Sequence, residues 1–278
     1  MTPSRVLPAL SASRAKEYLR CPLQYRLHVV DGMKEPPTRA TVLGTLVHSA
    51  LEDLYDLPAQ ERTNDSAQQA LSAHWEKKKA DPTTMELFST SEECAQWEEE
   101  MRRVLSQYFH VENPQWLSPI ARERMVEATT PAGIRLRGII DRVDRAPNGD
   151  LRVVDYKTGK APAQRYIDDA LYQMRFYALL LLLAGALPKR LQLLYLKSGQ
   201  VLTLDPEEPD IRRFGDEVES LWERIENDAH AGHFAPRRNP LCNWCGVQSA
   251  CPIFGGTTPP LPEEGRARLL QTRVGHEN

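Results

Sequence analysis

The sequence predicts an α/β fold in which a mixed central sheet is flanked by helices. Short segments rich in β-forming residues follow one another within residues 122–156, and two more strands are expected at 190–197 and 200–204. Between these groups, the stretch 163–184 has the length and apolar content of a long helix. The order β-β-β-α-β, with further helices before and after it, is typical of an α/β sandwich around a mixed sheet.

Several helices are expected outside the sheet region. Ser11 or Ser13 can cap a helix that must end near Cys21, because Pro22 follows at once. A loop rich in Pro and Gly comes next, and the hydrophobic periodicity after it is that of amphipathic helices. These further helices are expected at 44–57, 66–80, 91–111 and 207–231.

The three strands within 122–156 are expected to form a meander, at 122–127, 134–143 and 151–156. Turn signals separate them at Thr130-Pro131-Ala132-Gly133 and Pro147-Asn148-Gly149-Asp150. Antiparallel pairing across the second turn brings the second strand beside the third.

We predict that these elements form one domain over residues 1–255. Within it, residues 58–115 are read as a helical insert, and 234–252 together with Cys21 as a metal-cluster clasp. The tail 256–278 is charged and rich in proline, and we expect it to be disordered. A chain of 278 residues can bury a sufficient core without disulfides.

Composition excludes some classes of protein. The hydrophobic fraction of 41% and charged fraction of 26% are those of a globular protein rather than a disordered one. The net charge of -3 means that binding to phosphate groups requires local basic patches or bound cations. The longest apolar run, 178–183, is far below the roughly 20 residues that span a bilayer. The N-terminus lacks the apolar region of a secretory signal, so we expect a cytoplasmic protein.

Acidic residues and a lysine converge on the predicted meander. Asp141 lies on its second strand, and Asp155 and Lys157 lie on one face at the end of its third. Two adjacent carboxylates repel each other unless a cation lies between them, and hard oxygen ligands suit Mg²⁺ or Mn²⁺. A lysine in the same cluster can orient water and offset charge on a phosphate. Taken alone, the pattern also fits a surface hairpin with a solvated Asp-Lys pair.

The motifs around these residues resemble those of a known family. The sequence is similar to the RecB-like branch of the PD-(D/E)XK nucleases over most of residues 9–252. This branch contains the RecB and AddB nuclease domains and the CRISPR adaptation nucleases. The motifs that carry the resemblance are Gly44-Thr45-Leu46-Val47-His48, Gly138-Ile139-Ile140-Asp141-Arg142-Val143-Asp144, Val153-Val154-Asp155-Tyr156-Lys157-Thr158-Gly159 and Gln173-Met174-Arg175-Phe176-Tyr177.

The resemblance implies a restriction-endonuclease-like core and a role for each matching residue. It makes His48, Asp141 and Asp155 metal ligands and Lys157 the catalytic lysine. It places Gln173 and Tyr177 on a helix, one turn apart and facing the site. Three acidic neighbours are expected to have weaker or indirect roles: Glu52, Glu127 and Asp144.

Four cysteines suggest a second metal centre. Two residues separate Cys242 from Cys245 and five separate Cys245 from Cys251, whereas 220 residues separate Cys21 from Cys242. Cys21 can complete the set only if the N-terminal helix packs against the C-terminal segment. Four cysteines commonly bind zinc, but one remote cysteine and a late trio resemble the 4Fe–4S arrangement of the iron–sulfur members of this branch. Cys94 matches no motif and is expected to be a spare thiol.

The resulting hypothesis is a Mg²⁺- or Mn²⁺-dependent DNA nuclease with a structural iron–sulfur cluster, acting in DNA repair, recombination or processing. We expect an exonuclease directed to single strands or free ends. The sequence lacks the Gly-x-x-x-x-Gly-Lys-[Ser/Thr] phosphate loop, so a helicase would have to act in trans. Two alternatives are a non-catalytic DNA-binding or scaffold subunit of a helicase–nuclease assembly and a zinc-binding regulator.

Basic and aromatic residues are candidate contacts to DNA. Arginines can contact phosphates, and exposed aromatic rings can stack on unpaired bases. The candidates are Arg122, Arg124, Arg135, Arg137, Arg142, Arg145, Arg237 and Arg238, with Tyr166, Phe234 and Trp244 as the aromatics.

Overall fold

The computed structural model describes residues 7–274, and its centre is a five-stranded mixed sheet. The strands lie in chain order, and each neighbouring pair is antiparallel except β3 and β4, which are parallel. A parallel pair needs a crossover connection, which α7 supplies. The strands are β1 (Pro119–Thr129), β2 (Arg135–Arg145), β3 (Leu151–Lys157), β4 (Arg190–Tyr195) and β5 (Gln200–Leu204).

Helices cover both faces of this sheet. On one face, Val153 of β3 belongs to a core with α1, α7 and α8. On the other, its neighbour Val154 belongs to a core with α3, α4 and α6. The helices are α1 (Ala12–Arg20), α2 (Pro22–Val29), α3 (Arg39–Leu54), α4 (Asn64–Lys79), α5 (Pro82–Met85), α6 (Ser91–Val111), α7 (Ile167–Leu183), α8 (Glu208–Ala231) and α9 (Glu263–Leu270). The predicted mixed sheet with flanking helices is thus confirmed.

The helix boundaries near the N-terminus depend on capping side chains and on proline. The side chain of Ser11 accepts a hydrogen bond from the backbone of Arg14 and starts α1. Pro22 ends α1, as expected, and also opens α2, because a proline at the first helical position needs no N–H partner. Thr38 and Thr41 form a reciprocal capping box, so α3 begins five residues before the predicted start at 44.

The C-terminal segment is ordered as far as the structure describes it, which corrects the expectation of disorder for 256–274. Thr272 accepts a backbone hydrogen bond from Arg135 at 2.9 Å, and Arg273 forms an ion pair with Glu226 at 2.6 Å. Leu269 of α9 is buried in the core. These few contacts hold the segment against the core, although its amino-acid composition is similar to that of disordered segments. The predictions for residues 1–6 and 275–278 lie outside the described residues.

Within residues 7–274, no helix combines the length and the apolar character that crossing a lipid bilayer requires.

Candidate active site

The carboxyl end of β3 places Asp155 and Lys157 beside α7. The Lys157 Nζ lies 2.5 Å from Asp155 Oδ2 and donates to Gln173 Oε1 at 2.8 Å. The Gln173 amide in turn donates to Asp155 Oδ1 at 2.8 Å. Asp155 is 2% exposed, whereas the Lys157 side chain is 32% exposed. The carboxylate is therefore held inside the protein, and the amine can reach a molecule in solvent.

Tyr177 extends this chain of hydrogen bonds to β2. Its hydroxyl accepts from Gln173 Nε2 at 2.7 Å and donates to the carbonyl of Ile139 at 2.5 Å. Gly138 allows this approach, because a Cβ there would lie 2.8 Å from Leu180 and 2.9 Å from the Tyr177 ring. The predicted pair on α7 thus faces Asp155 and Lys157.

A second group of polar side chains forms around Asp141. The Asp141 Oδ2 accepts from the backbone N–H of Tyr156 at 2.7 Å and lies 3.5 Å from His48 Nδ1. The other ring nitrogen of His48 lies 3.0 Å from the Tyr156 carbonyl oxygen. Through the backbone of Tyr156, α3 and β2 therefore both meet the strand that carries Asp155 and Lys157.

Glu123 joins this group and was missed at the level of sequence. Its carboxylate lies 3.7 Å from His48 Nδ1. One ligand atom each from His48, Glu123 and Asp141 lies within 4.8 Å of the others. Imidazole and carboxylate oxygens in this arrangement could hold a divalent cation.

The register of β1 against β2 gives Glu123 its position. It lies on β1 between two paired positions, Arg122 opposite Arg142 and Arg124 opposite Ile140. This places Glu123 next to Asp141 on the neighbouring strand. Its backbone adopts a φ of +39°, which is rare for a residue other than glycine.

Of the three other acidic residues considered, two are paired with arginines and one lies near the site. Glu127 forms an ion pair with Arg137, and Asp144 forms ion pairs with Arg142 and Arg152. Glu52 lines the same surface cleft as His48 and Glu123.

Comparison with known proteins identifies the family. The profile of the PD-(D/E)XK nuclease superfamily matches residues 9–252. The chain belongs to this superfamily. All the polar side chains of the candidate site lie inside the matched range.

Similar proteins include two from phages and one of known structure. "Gene 69 protein" of Mycobacterium phage L5 and its namesake in phage D29 are each 26% identical to this chain, covering 90% and 89% of it and 98% of each relative. A crystal structure of a protein named "Putative exonuclease" from Eubacterium rectale matches with a TM-score of 0.53 and 16% identity, over 85% of this chain and 86% of that one. At this identity the match supports the fold, so the predicted PD-(D/E)XK core is confirmed.

The ionisation of this superfamily member's candidate site follows from its burial and from the charges around it. Burial raises the pKa of Asp141 to about 7, and the nearby charge of Asp155 adds to the increase. Burial alone would lower the pKa of His48, but the nearby carboxylates of Glu123, Asp141 and Asp155 raise it to about 9. Near neutral pH, the metal-free site therefore keeps protons on groups that would have to release them to a cation.

Divalent metal should bind more tightly as pH rises from about 6 to about 9. Below its raised pKa of about 7, Asp141 is protonated and loses the negative charge that attracts a cation. Below about 9, His48 is protonated and lacks a free lone pair. Each proton released on binding adds up to about tenfold in affinity per pH unit. Calorimetric titration with Mn²⁺ in buffers of different ionisation enthalpy measures the affinity and the number of protons released. A pH-independent affinity would contradict the assignment of His48 and Asp141 as metal ligands.

The four predicted cysteine ligands lie around one small cavity. Cys21, Cys242, Cys245 and Cys251 line a space of about 220 Å³ at the junction of α1, α2 and the C-terminal segment. The backbone N–H of Arg237 donates to Cys21 Sγ at 3.4 Å. Burial raises the pKa of the Cys245 thiol. The remote cysteine is thus adjacent to the late trio, whereas Cys94 is buried in α6.

Two of the candidate DNA contacts are buried: Arg142, and Phe234, which lies in the core and is 3% exposed. Arg142 is fully buried between the sheet and α6, so it cannot touch DNA, which corrects that expectation. Its guanidinium satisfies buried hydroxyl and carboxylate groups instead, because a buried charge requires such partners.

Proposed function

We propose that this protein is a metal-dependent DNA nuclease that hydrolyses phosphodiester bonds. The observation that carries the proposal is the convergence of His48, Glu123 and Asp141 within 4.8 Å, next to the Asp155–Lys157 pair. The first three side chains supply ligand atoms for a divalent cation, and the pair supplies a carboxylate and a positively charged donor. Membership of a nuclease superfamily supports the same chemistry.

Each side chain has a distinct role in the proposed mechanism. His48, Glu123, Asp141 and Asp155 would hold Mg²⁺ or Mn²⁺, which would polarise the phosphate and lower the pKa of bound water. Lys157 orients the attacking water and offsets the charge that develops on the phosphate oxygens. Gln173 is a positioning residue, because its amide bonds both Asp155 and Lys157. Tyr177 anchors that amide to β2.

Single-stranded DNA and DNA ends are the proposed substrates. A helicase acting in trans would supply single strands from duplex DNA. Digestion of labelled single-stranded, duplex and end-blocked oligonucleotides with Mg²⁺ or Mn²⁺ tests the proposal. We expect single strands to be cleaved only with metal present, and we expect blocking of their ends to suppress this cleavage. Cleavage of closed circular strands would instead indicate an endonuclease, and no cleavage with either metal would refute the proposal.

A matched pair of histidine variants connects cleavage to the metal site. His48→Gln should lower cleavage by about a hundredfold, because loss of metal-site interactions typically costs 10- to 100-fold or more. His74→Gln removes an imidazole that pairs with Asp53 on the surface of the α3–α4 pair, and it should leave the rate unchanged. Equal rates for the two variants would remove His48 from the metal site.

We also propose that the cysteines bind a 4Fe–4S cluster, as in the iron–sulfur members of the RecB-like branch. Four sulfurs at 2.3 Å from one zinc ion would lie about 3.8 Å apart. Among the described residues, no three of these cysteine sulfurs lie within 4.8 Å of one another. A cavity of about 220 Å³ that all four cysteines line has room for a multi-iron cluster. Such a cluster would join the two ends of the chain.

Removing the remote cysteine should release this clasp. We expect Cys21→Ala to lose iron, visible absorbance and thermal stability to the same extent as Cys245→Ala, because metal binding free energy is folding free energy. Cys94→Ala is the control, since that thiol lies in α6 outside the cavity. Iron analysis and melting curves on anaerobically purified protein provide the readout. A colourless protein with one zinc per chain would overturn the iron–sulfur assignment.

A further inference from the structure

A cleft of about 760 Å³ runs from the candidate active site along α1. At one end it is lined by Gln173 and Tyr177, the α7 residues that brace Asp155. At the other end it reaches Arg20, the last residue of α1. From Ala12 to Arg20, the helix rises about 12 Å at 1.5 Å per residue. This is the length of about three nucleotides spaced by 3.4 Å.

The cleft is locally basic, although the whole chain is acidic. Its lining contains Arg14, Lys16, Arg20 and Arg137, against a single carboxylate, Glu17. Glu17 is already held by His28 at 2.5 Å.

Two of the four cations have carboxylate partners, and two do not. Lys16 and Arg137 pair with Asp169 and Glu127, which are both largely exposed. Arg14 and Arg20 form no ion pair within residues 7–274, and their side chains contact only neutral oxygens. These two guanidinium groups retain positive charge that a phosphate could neutralise.

Arg20 also lines the cysteine cavity, so the cleft along α1 leads to the rim of that cavity. Trp244 lies on this rim with 78% of its surface exposed, and Leu241 and Phe254 are exposed beside it. A tryptophan side chain is normally well buried in a protein of this size. An exposed indole next to basic groups is the arrangement on which unpaired bases stack.

We propose that the cleft along α1 and the exposed rim of the cysteine cavity form one binding path for single-stranded DNA, with the backbone along α1 and a base stacked on Trp244. The proposal rests on the proposed function and specifies its substrate. Arg14 and Arg20 neutralise phosphates, and the strand enters the active site past Gln173 and Tyr177. A paired base has no free face for Trp244, so this path selects single strands over duplex DNA.

Fluorescence anisotropy of a fluorescein-labelled oligo(dT) strand measures its affinity for the protein. Without added divalent metal, this measurement tests the path independently of cleavage. Arg14→Ala/Arg20→Ala should weaken binding by about tenfold and reduce the dependence of log K on log salt by about 1.4, or 0.7 for each phosphate contact. The control is Arg212→Ala/Arg213→Ala, which removes the same charge from exposed positions on α8. Equal effects of the two pairs would overturn the path.

Trp244→Ala should weaken binding to oligo(dT) by about tenfold and leave binding to an abasic strand unchanged, because only the base stacks. Trp244→Phe should restore most of the affinity. Iron content is measured for each variant, because Trp244 lies between two of the cysteines. Equal losses on both strands, or tighter binding of duplex than of single-stranded DNA, would refute the stacking role. Absence of cleavage in the earlier experiment would refute the nuclease proposal but not these binding results.

Discussion

Replacing Lys157 with alanine should reduce metal-dependent cleavage by about 10²- to 10³-fold, the usual cost of losing one electrostatic donor to a transition state. Its ammonium group is the positive charge fixed beside Asp155, at 2.5 Å, and Gln173 holds it from the other side. Its side chain is partly exposed, so its removal leaves no large cavity in the core. Single-turnover cleavage of a labelled single strand with saturating Mn²⁺ measures the effect on the chemical step.

Lys160→Ala provides a matched control for this prediction. Lys160 is an exposed lysine three residues further along the chain, and it lines a different cleft from the active-site residues. The two variants lose the same charge, so a general effect on DNA attraction would appear in both. Asp155→Ala should be as inactive as Lys157→Ala. Full activity of Lys157→Ala, with an unchanged melting temperature, would contradict the catalytic assignment.

Replacing Arg142 with methionine should lower the free energy of unfolding by about 3 kcal/mol or more, because removing one partner of a buried ion pair leaves uncompensated charge. The Arg142 side chain is 1% exposed and bonds the carboxylates of Glu112 and Asp144 at 2.8 and 3.0 Å. Arg152 also contacts both carboxylates, but it is partly exposed and cannot replace the buried guanidinium.

The same guanidinium connects three elements through hydroxyl groups. It donates to Tyr55 of α3 at 2.8 Å, Tyr108 of α6 at 3.1 Å and Tyr156 of β3 at 2.6 Å. Tyr156 also supplies the backbone atoms that contact Asp141 and His48. The destabilisation should therefore extend to the metal site.

Thermal unfolding measures this effect. For a chain of this size, about 3 kcal/mol corresponds to a decrease of about 6–12 °C in melting temperature. Arg145→Met is the control, since Arg145 ends the same strand in solvent. A change in Arg142→Met no larger than that in Arg145→Met would show that the buried network contributes nothing to stability.

The fold could be predicted well because its signals are local. Alternation of polar and apolar residues and two turn motifs located β2 and β3, and the helical pattern located α7. The turn at Asn148-Gly149 pairs Arg142 with Val154, which places Asp141 close to Asp155. The proximity of Asp141 to Asp155 therefore follows from strand alternation and one hairpin.

Other features depended on partners that are distant in sequence. Glu123 acquires its position from the register of β1 and an unusual backbone conformation, neither of which its neighbours in sequence reveal. The order of 256–274 depends on contacts with Glu226 and the edge of β2. Composition measures the average tendency of a segment, whereas a few specific contacts decide whether it is ordered.

Residue types and their spacing predict an α/β core that brings Asp141, Asp155 and Lys157 together, and the resemblance of the motifs to a known family predicts a nuclease. Strand periodicity and tight turns act over a few residues, so the chain itself specifies them. Tertiary structure alone decided that Glu123 joins His48, that Arg142 is buried rather than available to DNA, and that Cys21 meets the late cysteines. Each of these outcomes depends on how whole elements pack, and packing depends on the combined burial of many side chains that no short motif contains.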